Sequence, residues 1–291
     1  MKRLFYLLRR FTTVAYRIHG IGLGRLCEMI RKWAARSAPA EPLLIQDFMG
    51  RGRFWCYLRE HMGSQIFFRG SYSTDCLEVL RQRLKPDSVF LDIGANHGEF
   101  SIAAALMAPL GRVIAFEPMP RNVERLQANI ALNELASVRV MPVGLGDQEG
   151  TFPIHDQSVP YEDGTINEGL ASLYAAGNRA RLGLSIEVRL LDKLWPLLQL
   201  ERVDVIKLDI EGAEWPALRG AQDILARYRP TLMVEIGRAT CRAAGYNAEA
   251  FAQWLETQGY NLLRIGDGGS LQTISPEELG EFQNLLAVPS A

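Results

Sequence analysis

From residue 88 onward, short stretches in which almost every position is apolar alternate with longer ones in which apolar residues recur every three or four positions. The short stretches are SVFLDIG, GRVIAFEP, SVRVMPVGLGD, VDVIKLDIEG and PTLMVEIG. Unbroken apolar character suits parallel strands covered on both faces, whereas strict alternation would mark a strand with one wet side. Between them GEFSIAAALMA, RNVERLQANIALN and AEWPALRGAQDILARY read as helices. Strands alternating with helices imply right-handed βαβ units and an open, mostly parallel, doubly wound α/β sheet of Rossmann-like type. Further on, AEAFAQWLETQG predicts one more helix. YNLLRI and NLLAVP predict an antiparallel pair at the sheet edge, with GDGG in the connection.

Ahead of residue 88 the pattern is mixed. RFWCYLRE and QIFFRG predict a small β-hairpin or meander within 43–72, and STDCLEVLRQRLKPD predicts a helix that opens on a Ser/Thr/Asp cap signal. RSAPAEP, at 36–42, has the composition of a linker. The chain is thereby divided into a helical segment at 1–42, a β/α lead-in at 43–87 and the alternating body at 88–291. Residues 150–187 interrupt the alternation with a long, polar, Gly-rich stretch, which its length assigns as a lid or substrate-binding segment.

Composition changes this picture in one place. The 291 residues are 48% hydrophobic and 22% charged with a net charge of −1, so nothing global calls for nucleic acid. Cys27, Cys56, Cys76 and Cys241 are scattered without a CxxC pair, as expected of free thiols in a reducing, cytoplasmic setting. The first segment differs. Lys2, Arg3, Arg9, Arg10, Arg17, Arg25, Arg31, Lys32 and Arg36 face a single acid, Glu28, and Leu4, Leu7, Leu8, Phe11 and Val14 fall near helical spacing. That is an amphipathic basic helix. Its apolar run is too short for a membrane span, and Arg9-Arg10 cuts it short for a signal peptide. Two readings follow: a helix packed on the body, or peripheral docking to an anionic membrane or a partner.

The candidate chemistry lies at the carboxyl ends of the strands, where open α/β sheets bind their ligands. Asp92 ends the first strand and is followed by Gly94-Ala95-Asn96-His97-Gly98. Glu117-Pro118 ends the second, Gly144-Leu145-Gly146-Asp147 the third, Asp209-Ile210-Glu211-Gly212 the fourth, and Glu235 the fifth. Such a rim repels pyrophosphate, and G-x-x-x-G stands where a dinucleotide site would carry G-x-G-x-x-G. A cationic ligand suits it, and S-adenosylmethionine (SAM) carries an ammonium and a sulfonium but no phosphate. On this reading Asp92 meets the ammonium, directly or through water. Gly94 and Gly98 let the backbone approach the ligand, Glu117 accepts from the ribose hydroxyls, and Asp147 or the backbone beside it at Gly146 meets the adenine.

Taken together, FLDIGANHGEFSIAAA, GRVIAFEPMPRNVERLQANIALN, VGLGDQEGT, VDVIKLDIEGAEWPALRGA and RPTLMVEI resemble the FkbM-type SAM-dependent methyltransferases over about 88–237. The resemblance implies a seven-stranded sheet whose last strand is antiparallel. It also implies methyl transfer to an oxygen of a sugar, glycan, lipid-linked or polyketide acceptor. Its motif positions fall here on Asp92, Gly94, Asn96 and Gly98, then on Glu117, Pro118 and Asn122, on Asp147, and on Lys207, Asp209, Glu211, Gly212 and Glu214. It gives His97 no role.

In-line methyl transfer to an alcohol needs alignment and a proton acceptor. Asp209 and Glu211 are the candidate bases, with Lys207, on the same strand face as Asp209, holding Asp209 or orienting the acceptor. The plain alternatives are a turn shaped by Glu211-Gly212 and a structural Lys207–Asp209 ion pair. A metal held by Asp209 and Glu235 lacks a clear third ligand, so no metal is assigned. Two other functions compete: a non-catalytic SAM-fold scaffold recruited to a membrane complex, and an NAD-dependent oxidoreductase. The missing G-x-G-x-x-G argues against the second.

Overall fold

The computed structural model describes residues 2–18, 23–156, 165, 171–174 and 180–290. Helices α1 (Lys2–Ile18) and α2 (Leu23–Ser37) precede a hairpin of β1 (Leu43–Phe48) and β2 (Gly52–Cys56), then α3 (His61–Arg69) and α4 (Thr74–Arg83). The alternating body opens with β3 (Val89–Ile93), α5 (Glu99–Met107), β4 (Arg112–Phe116), α6 (Pro120–Leu132) and β5 (Val138–Met141). After β6 (Gly144–Leu145), β7 (Gly150–Asp156) and β8 (Ala180–Arg189) come α7 (Leu191–Leu198), β9 (Val205–Leu208), α8 (Glu214–Arg219), α9 (Gln222–Tyr228) and β10 (Thr231–Gly237). The chain closes through α10 (Arg238–Ala243), α11 (Ala248–Thr257), β11 (Tyr260–Ile265), β12 (Leu271–Thr273) and β13 (Phe282–Pro289).

Among the described residues, eight strands form the main sheet in the order β12-β11-β13-β10-β9-β3-β4-β5. The run from β10 to β5 is parallel, and β13 is antiparallel to both its neighbours. This is the doubly wound, mostly parallel sheet the alternation implied, with the short edge strand β12 added to the seven expected. YNLLRI and NLLAVP do pair antiparallel toward the sheet edge, as β11 and β13, with β13 between β10 and β11. Strand order reverses at β3, which has β4 on one side and β9 on the other, and a crevice opens there.

Two local expectations fail. QIFFRG lies within and at the end of α3, because Ile66, Phe67 and Phe68 are all buried and no face is left for a strand's alternation. The third strand ends at Met141, before Pro142, and Gly144–Leu145 leaves the main sheet to join β8 and β7 in a separate three-stranded one. The 150–187 segment is strand at both ends, where Gly150 pairs with Val188 and Asp156 with Ala180, and most of the stretch between them, read as a lid, lies outside the described residues. Its period-two signal was present: Ile154, Ile186 and Val188 are buried together, with Phe152 packed against them.

Alternation along the central strands sorts two faces. Leu91, Ile206 and Val234 enter one core; Phe90, Val205 and Met233 enter the other, which also holds Phe5, Ile45 and Phe67. The lead-in and α1 therefore cover one face of the main sheet. Along that face the apolar row turns polar toward the carboxyl ends. Asp92 follows Phe90 on β3 and lies opposite Lys207, which follows Val205 on β9. Strands β9 and β10 pair as far as Leu208 and Val234. The next residues, Asp209 and Glu235, thus emerge side by side on the same face as Lys207.

Candidate active site

The turn after β3 is built for close approach. Gly94 and Ala95 both donate to Phe116 O at 3.0 Å, which binds the turn to β4. Gly94 has φ +84°, and a Cβ there would sit 2.0 Å from Asp209 O. Glycine is thus required to bring β3 against the end of β9. Gly94→Ala is expected to lower stability by roughly 2–4 kcal/mol, read as a fall in Tm. An unchanged Tm would show that the turn can relax around a methyl group.

Glu117 braces this turn from β4. Its Oε2 accepts from Asn96 N at 2.8 Å and its Oε1 from Met119 N at 2.9 Å, with Asn122 Nδ2 at 3.4 Å. Burial pushes its carboxyl up to about 6. The backbone bonds leave acceptor capacity on both oxygens for a pair of neighbouring hydroxyls. Asn96 also lines the cleft, and its amide oxygen is buried with no partner.

Across the switch point, Lys207 Nζ lies 3.1 Å from Asp209 Oδ2, 3.4 Å from Gly94 O, 4.0 Å from Asp92 Oδ1 and 4.9 Å from the Phe100 ring centre. Burial opposes its charge, but Asp209 and Asp92 outweigh burial and hold its pKa above the ordinary lysine value. Lys207 is therefore a fixed cation, not a base. Burial first, then Asp209 and Glu211, drives Glu235 well above the usual carboxylate range. Carboxylate oxygens of Asp209, Glu211 and Glu235 lie within 4.8 Å of one another, so Glu211 supplies the third acid that the sequence left unassigned. Glu214 is not part of this group. It accepts from Ile210 N and Gly212 N and fixes the turn that carries Glu211 at φ +55°.

Of the predicted residues, Gly94, Asn96, Glu117, Pro118, Asn122, Lys207, Asp209 and Glu211 line one cleft; Asp92, Gly98, Gly146 and Asp147 are not on its wall. Asp92 is fully buried beneath the turn, accepting from Ser101 Oγ at 2.6 Å. Direct contact with a ligand's ammonium, one of the two routes expected of Asp92, is thus closed by its burial. Gly98 caps α5 at φ +95°. Gly146 O packs tightly on Gly220. Asp147 is ion-paired with Arg219 at 2.5 Å. The wall past β5 comes instead from Val143, Gly144 and Leu145, because the strand stops before the predicted acid.

Two features escaped the sequence. Glu99, on the first turn of α5, lines the cleft while accepting from Tyr72 N and Ser73 N, which fastens the lead-in to the rim. Burial pushes it up to about 7. His97 sits under the turn, 2.8 Å from Arg125, which also bonds Glu60 at 2.7 Å and lies over the Tyr57 ring. Burial, then Arg125, pushes His97 down to about 3, so it is a neutral structural acceptor.

Glu117, Asp209, Glu211 and Glu235 face a cleft in which Lys207 is the one cation among the described lining residues. The wall rejects phosphate and suits a positively charged ligand. Residues 92–262, more than half of the chain, match the Methyltransferase FkbM domain. The chain belongs to the FkbM methyltransferase family. Among FkbM-type relatives, methyltransferase sdnD of Sordaria araneosa is 27% identical over 230 residues, covering 72% of this chain and 86% of that one. The 2-O-methyltransferase NoeI of Sinorhizobium fredii is 29% identical over 170 residues, covering 54% of this chain and 68% of its own. The AMB antimetabolite synthetase AmbE of Pseudomonas aeruginosa is 29% identical over 232 residues. That match covers 70% of this chain and only 11% of the synthetase.

Proposed function

We propose that this methyltransferase moves the methyl group of SAM to a hydroxyl oxygen of a sugar, glycan or other hydroxylated metabolite. The observation that carries the reading is the Lys207–Asp209 pair beside the Gly94 turn, in the same cleft as Glu117. Bound SAM supplies a methyl carbon made electrophilic by the sulfonium. Glu117 receives the ribose hydroxyls, and Asn96 Oδ1 offers an acceptor within the turn. The acidic wall backed by Asp92 would hold the ammonium of SAM.

The proton chemistry falls to the acids. Lys207 anchors Asp209 Oδ2, leaving Oδ1 for the acceptor hydroxyl. As the acceptor oxygen bonds to the methyl carbon and the sulfur–carbon bond breaks, Asp209 takes the hydroxyl proton and later returns it to solvent. Glu235, whose affinity for a proton is raised by burial and then by Asp209 and Glu211, stands behind this pair. NoeI is by name a 2-O-methyltransferase, which supports oxygen as the acceptor.

The test is incubation with methyl-labelled SAM and fractionated cell extract, with and without EDTA. Label is expected in a hydroxylated product, stable to base as an ether and unlike an ester, and EDTA is expected to change nothing because Lys207 already supplies the positive charge. SAM binding without any transfer would favour the scaffold. Loss on chelation with recovery on Mg²⁺ would reassign Asp209, Glu211 and Glu235 as metal ligands.

A further inference from the structure

Helices α1 and α2 each carry two apolar faces, and only one of each is used. In α1, Phe5, Thr12 and Ala15 are buried against the body, while Leu4, Leu7, Phe11 and Val14, spaced i, i+3, i+7 and i+10, are exposed. In α2, Cys27, Arg31, Ala34 and Ala35 are buried, and Leu26, Met29 and Trp33 repeat the exposed stripe at i, i+3 and i+7. Leu7 is 63% and Met29 66% exposed, far more than packing on the body would leave. The rings of Phe5 and Trp33 lie 6.0 Å apart, so the two helices are neighbours.

Charge selects the occupant. At 100° per residue, Arg3 and Arg10 flank the α1 stripe on one side, and Arg25, Lys32 and Arg36 flank the α2 stripe. None of these has an ion-pair partner among the described residues, whereas Arg9 is held by Asp47 and the lone acid Glu28 by Arg31. The whole chain sums to −1, so the remainder is net acidic. No described helix is long and apolar enough to cross a membrane. An apolar stripe edged by unpaired cations matches a layer that is apolar inside and anionic at its surface. A protein partner or a second copy would call for matching acids, and the one acid a copy carries on these helices, Glu28, is already taken by Arg31.

We propose that α1 and α2 form a docking face for an anionic phospholipid surface. Leu7, Phe11 and Met29 enter the acyl boundary, Arg3, Arg10 and Arg25 meet the headgroups, and the acidic remainder is turned outward. This docking face is independent of the chemistry in the cleft.

Co-sedimentation of the full chain with vesicles tests it, using phosphatidylcholine alone and phosphatidylcholine with phosphatidylglycerol in a three-to-one ratio. Binding is expected to the anionic vesicles only, and to fall with added salt. Arg3→Glu/Arg10→Glu/Arg25→Glu and Leu7→Ser/Met29→Ser are each expected to lower partitioning by at least about tenfold, with near-ultraviolet circular dichroism unchanged. Absence of binding to anionic vesicles overturns the proposal, as does wild-type binding by the charge-reversed variant. Self-association that Leu7→Ser/Met29→Ser abolishes, without vesicle binding, assigns the face to a second copy and overturns it equally.

Discussion

Asp209→Asn is expected to lower kcat by about 10²–10⁴-fold, measured on the acceptor that the labelling assay yields, while calorimetry finds SAM affinity changed by less than about twofold. The amide keeps the shape of the side chain, and its oxygen can still accept from Lys207, so cleft geometry survives. It cannot take a proton. The side chain is 35% exposed but is the nearest counter-charge to the buried Lys207, so Tm is read beside kcat, and a fall in kcat at unchanged Tm is assigned to the lost base. Glu235→Gln separates the roles further. If Glu235 is a neutral neighbour, its amide replacement changes kcat much less than Asp209→Asn does. A larger loss from Glu235→Gln would transfer the base to β10, and full turnover by Asp209→Asn would leave its pair with Lys207 as architecture.

What the sequence disclosed about this site follows from which forces act locally. Parallel strands buried on both faces announce themselves as apolar runs, so β3, β4, β9 and β10 were legible, and with them the sheet and its switch point. Strand parity placed Lys207 and Asp209 on one face, and the structure keeps them there at 3.1 Å. Parity also applied to Asp92, which shares that face and points beneath the turn toward Lys207 and Ser101. Reading strand ends as a single rim overlooked this. Asp147 was misplaced because one proline ended the strand before it, and its partner Arg219 lies far along the chain. Glu99 and Glu235 acquire their meaning from neighbours that only the fold supplies: the Tyr72 backbone for one, Asp209 and Glu211 for the other. The helix α3 was hidden for the opposite reason, since a segment buried all round has no periodic face to read.

Glu117→Ala is expected to weaken SAM binding by about 1–3 kcal/mol, or roughly 5–150-fold in Kd. The side chain is buried and aimed at the turn, and the substitution removes the acceptor of the ribose hydroxyls together with the brace on Asn96 N and Met119 N. Those roles separate by pH. In the free protein burial holds Glu117 up to about 6, and hydroxyls donating to its ionised form pull that value down in the complex. SAM affinity of the unaltered protein is therefore constant well above pH 6. It declines as pH falls through 6, because binding then requires a proton to be released, and it levels off below the lower pKa of the complex. Glu117→Ala should lose both the affinity and this decline. If the brace alone mattered, the variant would melt at a lower temperature, and the decline measured in the unaltered protein would have come from another group. Calorimetry across pH 5 to 8, set beside Tm, distinguishes the two. Unchanged affinity in the variant would remove Glu117 from the ligand's contacts, and with it the main reason for placing a ribose at the end of β4.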